Sequence, residues 1–264
     1  MSPWLNTALY GAYSYVALAV FLIGSLLRFD HSQYTWRTGS SQLLRRRQML
    51  WGSNLFHVGI LAIFAGHCVG LLTPVAVFDA LGVSHMFKQL LAMTFGGIAG
   101  VACWVGIALL AHRRLFDARI RTTSSFGDIA ILLLLWVQLT LGLATIPVSA
   151  HHLDGHEMVK FMNWAQGILT LHPGAAALIA DVDPVFRLHL FLGLTVFLVF
   201  PFTRLVHVWS VPVWYLGRPG YQVVRTKRPV ARRNAASAAP LAVVNQALTP
   251  LGGTVSPQPA VGGD

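Results

Sequence analysis

Apolar residues run almost unbroken through five stretches of the chain, residues 4–27, 49–72, 88–111, 127–147 and 185–209. Each reaches the roughly 20 residues that cross hydrocarbon as a helix at about 1.5 Å per residue. The pattern predicts an all-α integral membrane bundle of five transmembrane helices, with polar residues gathered in the connections between them. The fourth connection, residues 148–184, holds a His, Asp and Gly stretch and then, over 159–171, apolar positions (Phe161, Met162, Trp164, Ile168 and Leu169) suited to an interfacial amphipathic turn or two. This loop is placed to cap a site. From about Pro229 the sequence turns to Ala, Pro, Gly and Val without periodicity. The predicted organisation is therefore a membrane domain over residues 1–228 and a flexible tail over 229–264.

Composition agrees with the pattern: of 264 residues 55% are hydrophobic and 11% charged, with a mean hydropathy of +0.61, too apolar for a soluble domain. Nineteen Lys and Arg stand against nine Asp and Glu. In a soluble protein that excess would point to nucleic acid, but its placement excludes that reading. Arg28, Arg37, Arg45, Arg46 and Arg47 fall in the first connection, Arg113, Arg114, Arg119 and Arg121 in the third, and Arg218, Arg225, Lys227, Arg228, Arg232 and Arg233 after the last stretch. By the positive-inside rule these segments are cytoplasmic, the N-terminus is outside and the helix count is odd. The first stretch has no preceding basic residue and no small-residue cleavage site, so it is expected to be a retained helix.

Four histidines lie inside the apolar stretches, His57 and His67 in the second, His189 and His207 in the fifth. Lipid offers an imidazole no hydrogen-bond partner, so each needs a protein or cofactor partner. Imidazole is a standard axial ligand of haem iron, and with no C-x-x-C-H motif any haem is non-covalent, of b type. Helical rise places His67 about 8 Å and His57 about 22 Å below the outer end of their helix, and His189 about 5 Å and His207 about 31 Å below the outer end of theirs. Pairing His67 with His189 leaves a mismatch of roughly 3 Å and His57 with His207 roughly 9 Å, whereas the crossed pairs differ by roughly 18 and 24 Å. The level pairs are the workable ones, with helix tilt or a kink at Pro201 expected to absorb the inner offset. The chain thus has two predicted iron sites, one near each face. The other seven histidines lie at helix ends or in loops and are assigned no iron.

Three cations near the membrane and a set of glycines carry two readings each. Arg204, three residues before His207, is placed either to bind a haem propionate or to snorkel to the interface. Arg187, two before His189, has the same choice outside. Lys88, at the outer mouth of the third helix, is placed to donate to a quinone oxygen, to pair with a propionate, or to anchor the helix. Gly59 and Gly66 serve either close helix approach or a flat face for a porphyrin. Cys68 and Cys103 are too few for an iron-sulfur cluster and read as small core residues.

Long ordered segments resemble one family. FLIGSLLRFD with QYTWR (21–37), SNLFHVGILAIFAGHCVGLLTP (53–74), FKQLLAM (87–93), RRLF (113–116), TIPVSAHHLDGHEM (145–158) and FRLHLFLGLTVFLVFPFTRLVHVWSVPVWYL (186–216) are similar to the gamma, or cytochrome b, subunit of membrane-bound respiratory nitrate reductase. The resemblance covers about residues 10–228 and implies a location in the bacterial inner membrane. It implies that His57 and His207 ligate the haem nearer the cytoplasm and His67 and His189 the haem nearer the periplasm. It also implies quinol oxidation at the outer haem with Lys88 as the quinol-site lysine. Electrons would pass to an iron-sulfur beta subunit and a molybdenum alpha subunit, both cytoplasmic. Two other readings stay open: a related dihaem subunit serving a heterodisulfide-reductase-like complex, and a haem-free membrane anchor in which the histidines serve packing.

Overall fold

The structure is a computed structural model that describes residues 1–36 and 44–210. The expected tail over 229–264, Arg37 and the basic residues from Arg218 onward lie outside the described residues. What is described belongs to the compact unit Met1–Val211.

Helices α1 (Pro3–Thr7) and α2 (Tyr13–Ser32) join through a π-turn, Ala8–Ala12, into one run. Then follow α3 (Arg46–Leu72), short α4 (Val75–Ala80), α5 (His85–Phe116), short α6 (Ala118–Thr122), α7 (Phe126–Ala150), α8 (His156–Leu169) and α9 (Pro184–Val199). Among the described residues five runs are long and apolar enough to cross a membrane: Pro3–Ser32, α3, α5, α7 and Pro184–Phe202. Their starts are written in the sequence as caps. Ser84 accepts from the Phe87 N–H at 3.2 Å, Ser125 and Asp128 form a reciprocal capping box on α7, and Asp183 accepts from Val185 at 2.8 Å ahead of α9.

The runs pack in the order α3, α5, α7, α9, α2. Glycines set the tightest contact, that of α3 with α5. A Cβ on Gly59 would stand 2.6 Å from Cβ of Cys103 and 2.7 Å from the Ala99 carbonyl, and one on Gly106 only 2.4 Å from the Phe56 nitrogen. Such backbone approach lets dispersion and short polar contacts hold helices together where lipid supplies no hydrophobic drive. Gly59 therefore serves helix approach. Gly66 does not: nothing lies within 4 Å of its would-be Cβ. Cys103 is buried at this contact and Cys68 is half-buried. Large exposed apolar side chains, among them Val58, Val69, Phe95 and Ile98, leave the bundle an apolar surface.

The ends of the bundle differ. One, the basic face, carries Arg45, Arg46, Arg47, Arg113, Arg114, Arg119 and Arg121, tied down in part by Arg45 to Asp117 at 2.7 Å. The other, the loop face, is covered by α8 and the 3₁₀ turn Ala175–Ile179. The amphipathic turn or two expected at 159–171 is a helix of 14 residues, docked on protein. Met162, Trp164 and Ile168 are buried. The indole of Trp164 donates to the Tyr10 carbonyl at 2.9 Å, in the π-turn, and Gln166 donates to the Leu71 and Thr73 carbonyls at 3.0 and 3.1 Å. A π-turn and a helix end both leave carbonyls short of helical partners. The cap supplies those donors.

Lys160 on the cap bonds Asp181 at 2.7 Å and Glu157 at 3.0 Å. The Lys160 hydrogen bond holds the Asp181 carboxyl below its ordinary range, and Asp181, then Glu157, hold the Lys160 ammonium above its own. A depressed acid stabilises the fold above its ordinary range and loses that contribution as pH falls through its folded value. A raised base stabilises below its ordinary range and loses it as pH rises through its folded value. Protection factors of the α8 amides are thus expected to be highest between about pH 4 and about pH 10, the ordinary ranges of the two groups. Asp181→Asn should erase the acid-side fall, modestly because Asp181 is largely exposed. An unaltered profile in that variant would count against the clamp.

One expected element is corrected. The fifth run was expected as a single helix over 185–209, kinked at Pro201. The α-helix instead stops at Val199 and gives way to 3₁₀ turns Phe200–Phe202 and Arg204–Ser210. Pro201 lacks an N–H and its ring opposes the carbonyl four residues back, so the α ladder ends there. Thr203, extended at φ −116° and ψ 179°, then turns the chain. The guanidinium of Arg28 gathers the carbonyls this break frees, donating to Pro201 at 2.6 Å and Thr203 at 2.9 Å.

Candidate functional site

The four histidines of the apolar runs meet as two pairs. His57 faces His207 with ring centroids 6.3 Å apart, and His67 faces His189 at 6.4 Å. Two metal–imidazole bonds of about 2.0–2.1 Å, plus about 1.1 Å from nitrogen to ring centre on each side, add to about 6.3 Å. Each pair therefore stands at the separation of two imidazoles bound to one metal ion from opposite sides. Along α3 the levels are ten residues apart, about 15 Å. The roughly 9 Å offset expected at the inner pair is absent because His207 does not continue the α9 helix. The break at Pro201 and the extended Thr203 bring its ring level with His57.

Ring orientation is fixed through the other nitrogen. The Nδ1 of His57 lies 2.7 Å from the Ser53 carbonyl, that of His67 2.8 Å from Ile63, that of His207 2.6 Å from Arg204, and that of His189 3.2 Å from Gln138. A carbonyl can only accept, so each Nδ1 is the donor, and Nε2 is the nitrogen the neutral ring would offer to a metal. Metal-binding imidazoles are set this way: the donated proton selects the tautomer and makes the ring a better ligand. Among the described residues no group of three or more His, Cys, Asp or Glu is placed to hold a metal ion. Two imidazoles per level fit an iron whose remaining four positions come from a macrocycle.

The cations take distinct places. Lys88, 6% exposed, lies under the cap with its Nζ 2.8 Å from the Met162 sulfur and 4.4 Å from the centre of the Phe78 ring. Thioether and ring are weak partners for an ammonium, which leaves its donors available to a stronger acceptor. Counted from the helix ends, Lys88 and His67 lie within about 3 Å of the same depth. Arg204 does not snorkel freely. Its Nη1 is 3.4 Å from Asp128, which also faces Arg114 at 3.7 Å. Arg187 lines the rim of a cavity of about 310 Å³ with Met1, Tyr10 and Phe191.

Gln138, Gly142, Arg28 and Met162 were not among the expected site residues. Gln138 left a trace in the sequence, as a lone amide inside LLLLWVQLTLGL, where an unpartnered polar group is expensive. Gly142 left none, because a glycine that makes room for a ring on another helix looks like any other.

Residues 6–227 match the family model described as the nitrate reductase gamma subunit. The chain is 53% identical over 224 residues to the respiratory nitrate reductase 1 gamma chain of Escherichia coli strain K12, covering 85% of this chain and 99% of that one. It is 51% identical over 228 residues to the respiratory nitrate reductase 2 gamma chain of the same strain, covering 86% and 100%. To the nitrate reductase gamma chain of Bacillus subtilis strain 168 it is 38% identical over 219 residues, covering 83% and 97%. With near-complete coverage and a bundle that pairs its membrane histidines level by level, the chain belongs to the nitrate reductase gamma subunit family.

Proposed function

We propose that this chain is the dihaem cytochrome b subunit of a respiratory nitrate reductase, oxidising quinol near the periplasmic face of the inner membrane. The observation that carries the reading is the double pairing of imidazoles at 6.3 and 6.4 Å, with every Nδ1 committed to a carbonyl. His57 and His207 would hold the haem toward the basic face, His67 and His189 the haem toward the loop face. Bound there, two b-type haems supply a one-electron relay between the two ends of the bundle.

By the positive-inside rule the basic face is cytoplasmic. It is where an iron-sulfur beta subunit and a molybdenum alpha subunit, which reduces nitrate, would dock. The cap of α8 then lies on the periplasmic side, over Lys88. The ammonium of Lys88 is placed to donate to a quinol oxygen, and protons from quinol would leave on that side, making turnover electrogenic. A haem-free anchor gives no reason for four imidazoles in apolar runs to meet as two level pairs, each with its Nδ1 held on a carbonyl. Near-complete alignment with nitrate reductase gamma chains favours nitrate reductase over a heterodisulfide-reductase-like assembly.

Lys88→Ala is expected to keep both haems while slowing their reduction by a quinol analogue at least tenfold, one lost charge-assisted hydrogen bond being worth about 1.5–3 kcal/mol. Stopped-flow reduction in membranes measures it. An unchanged rate and unchanged quinol-analogue affinity would remove Lys88 from the site.

A further inference from the structure

Of the four paired histidines, three hold their Nδ1 proton within their own segment. His57 and His67 give it to the carbonyl four residues earlier, Ser53 and Ile63, and His207 to Arg204, three earlier. His189 differs. Its Nδ1 donates across to α7, to the Gln138 carbonyl at 3.2 Å, while the Gln138 side chain donates back to the His189 carbonyl at 3.0 Å.

One turn along α7 stands Gly142. A Cβ there would lie 2.9 Å from His189 Cε1, 3.5 Å from Nδ1 and 3.6 Å from Nε2. Its three nearest neighbours are thus all atoms of one imidazole, so this glycine makes room for the ring rather than for a helix backbone. On α9, one turn after His189, a Cβ on Gly193 would stand 3.1 Å from the Gln138 amide nitrogen. Residues at four-residue spacing on two facing helices, Gln138 with Gly142 and His189 with Gly193, enclose the ring edge and its proton acceptor.

We infer that Gln138 and Gly142 are positioning residues that set the orientation and donor strength of His189, and through it the reduction potential of the outer haem, from a helix that supplies no ligand. This rests on the haem reading above. The acceptor of an imidazole's distal proton tunes how strongly the ring donates to its metal, and that bond is one of the protein's levers on potential. At the other three ligands the acceptor moves with the histidine. At His189 it moves with α7, so the spacing of α7 and α9 is written into the outer site alone.

The test uses the assembled nitrate reductase complex in membranes and a redox titration of its b-type absorbance. The outer component is identified as the one missing in His67→Ala. In Gly142→Ala the ring must shift against its iron, and the outer component is expected to disappear or to move by at least about 59 mV. That is a tenfold change in the ratio of ferric to ferrous binding for one electron. The inner component should stay in place. Gln138→Leu, which keeps the backbone acceptor and loses the returning amide, should move the outer component less and the inner not at all. Gly127→Ala, on the same helix with nothing nearer its Cβ than Ser125 Oγ at 3.9 Å, should move neither.

An unmoved outer component in Gly142→Ala, or both components moving together in Gly142→Ala and Gln138→Leu, overturns the inference. If the Gly142→Ala complex does not assemble, Gln138→Leu decides: an outer-only shift supports it, and no shift or a joint shift overturns it. A wild-type complex without two b-type components would instead overturn the haem reading itself.

Discussion

His67→Ala and His189→Ala are each expected to erase the same one of two b-type components from the reduced-minus-oxidised spectrum, while His57→Ala and His207→Ala each erase the other. The basis is geometric. The rings face one another in these pairs at 6.3 and 6.4 Å, and the levels are separated by ten residues of α3. Alanine removes the nitrogen and leaves the opposite imidazole with no partner across the iron. Quinol-driven electron delivery should fall by more than the roughly 10- to 100-fold that typically follows loss of a ligand's hydrogen-bond partner. Optical redox titration of the four variants reads both effects. If His57→Ala removed the component that His189→Ala removes, the pairing would be wrong.

Gly106→Val is expected to cost both components together. The Cβ of any residue at 106 would sit 2.4 Å from the Phe56 nitrogen and 2.9 Å from the Gly52 carbonyl, and these are backbone atoms that cannot rotate away. Helix α3 must move off α5, carrying His57 and His67 with it. Overpacking commonly costs about 1–3 kcal/mol, and a contact formed by backbone should fall at the upper end. Haem content and thermal denaturation of the solubilised chain measure the loss, with Gly70→Ala, where nothing lies within 4 Å, as the silent control. Normal haem content with an unchanged midpoint would show that α3 is held by something other than this contact.

The number of spans and the level pairing of the histidine rings were legible because each depends on length, period and depth, which a one-dimensional pattern records; the order in which the spans pack was not. The end of α9 was not. Pro201 announced a disturbance, but whether the chain kinks or leaves the α-helix depends on who satisfies the freed carbonyls. That donor is Arg28, 173 residues away. The cap was legible as an amphipathic segment, yet its seat on the π-turn at Tyr10 and on the end of α3 depends on Trp164 and Gln166 reaching carbonyls elsewhere in the chain. Gly59 and Gly66 show the same limit. Seven residues apart on one helix, one faces Cys103 and the other nothing within 4 Å, a difference that only the neighbouring helix defines. Lys88 was visible as a costly cation at a helix mouth, while its weak partners, Met162 and Phe78, were not.

Two iron sites, each held by one imidazole from α3 and one from the α9 run, are what the proposed function requires of this chain. A reduced-minus-oxidised spectrum of the purified full chain, with its pyridine haemochrome stoichiometry, tests it most directly. Two b-type haems per chain are expected, both low-spin. A chain that folds and carries no b-type haem, or only one, would contradict it.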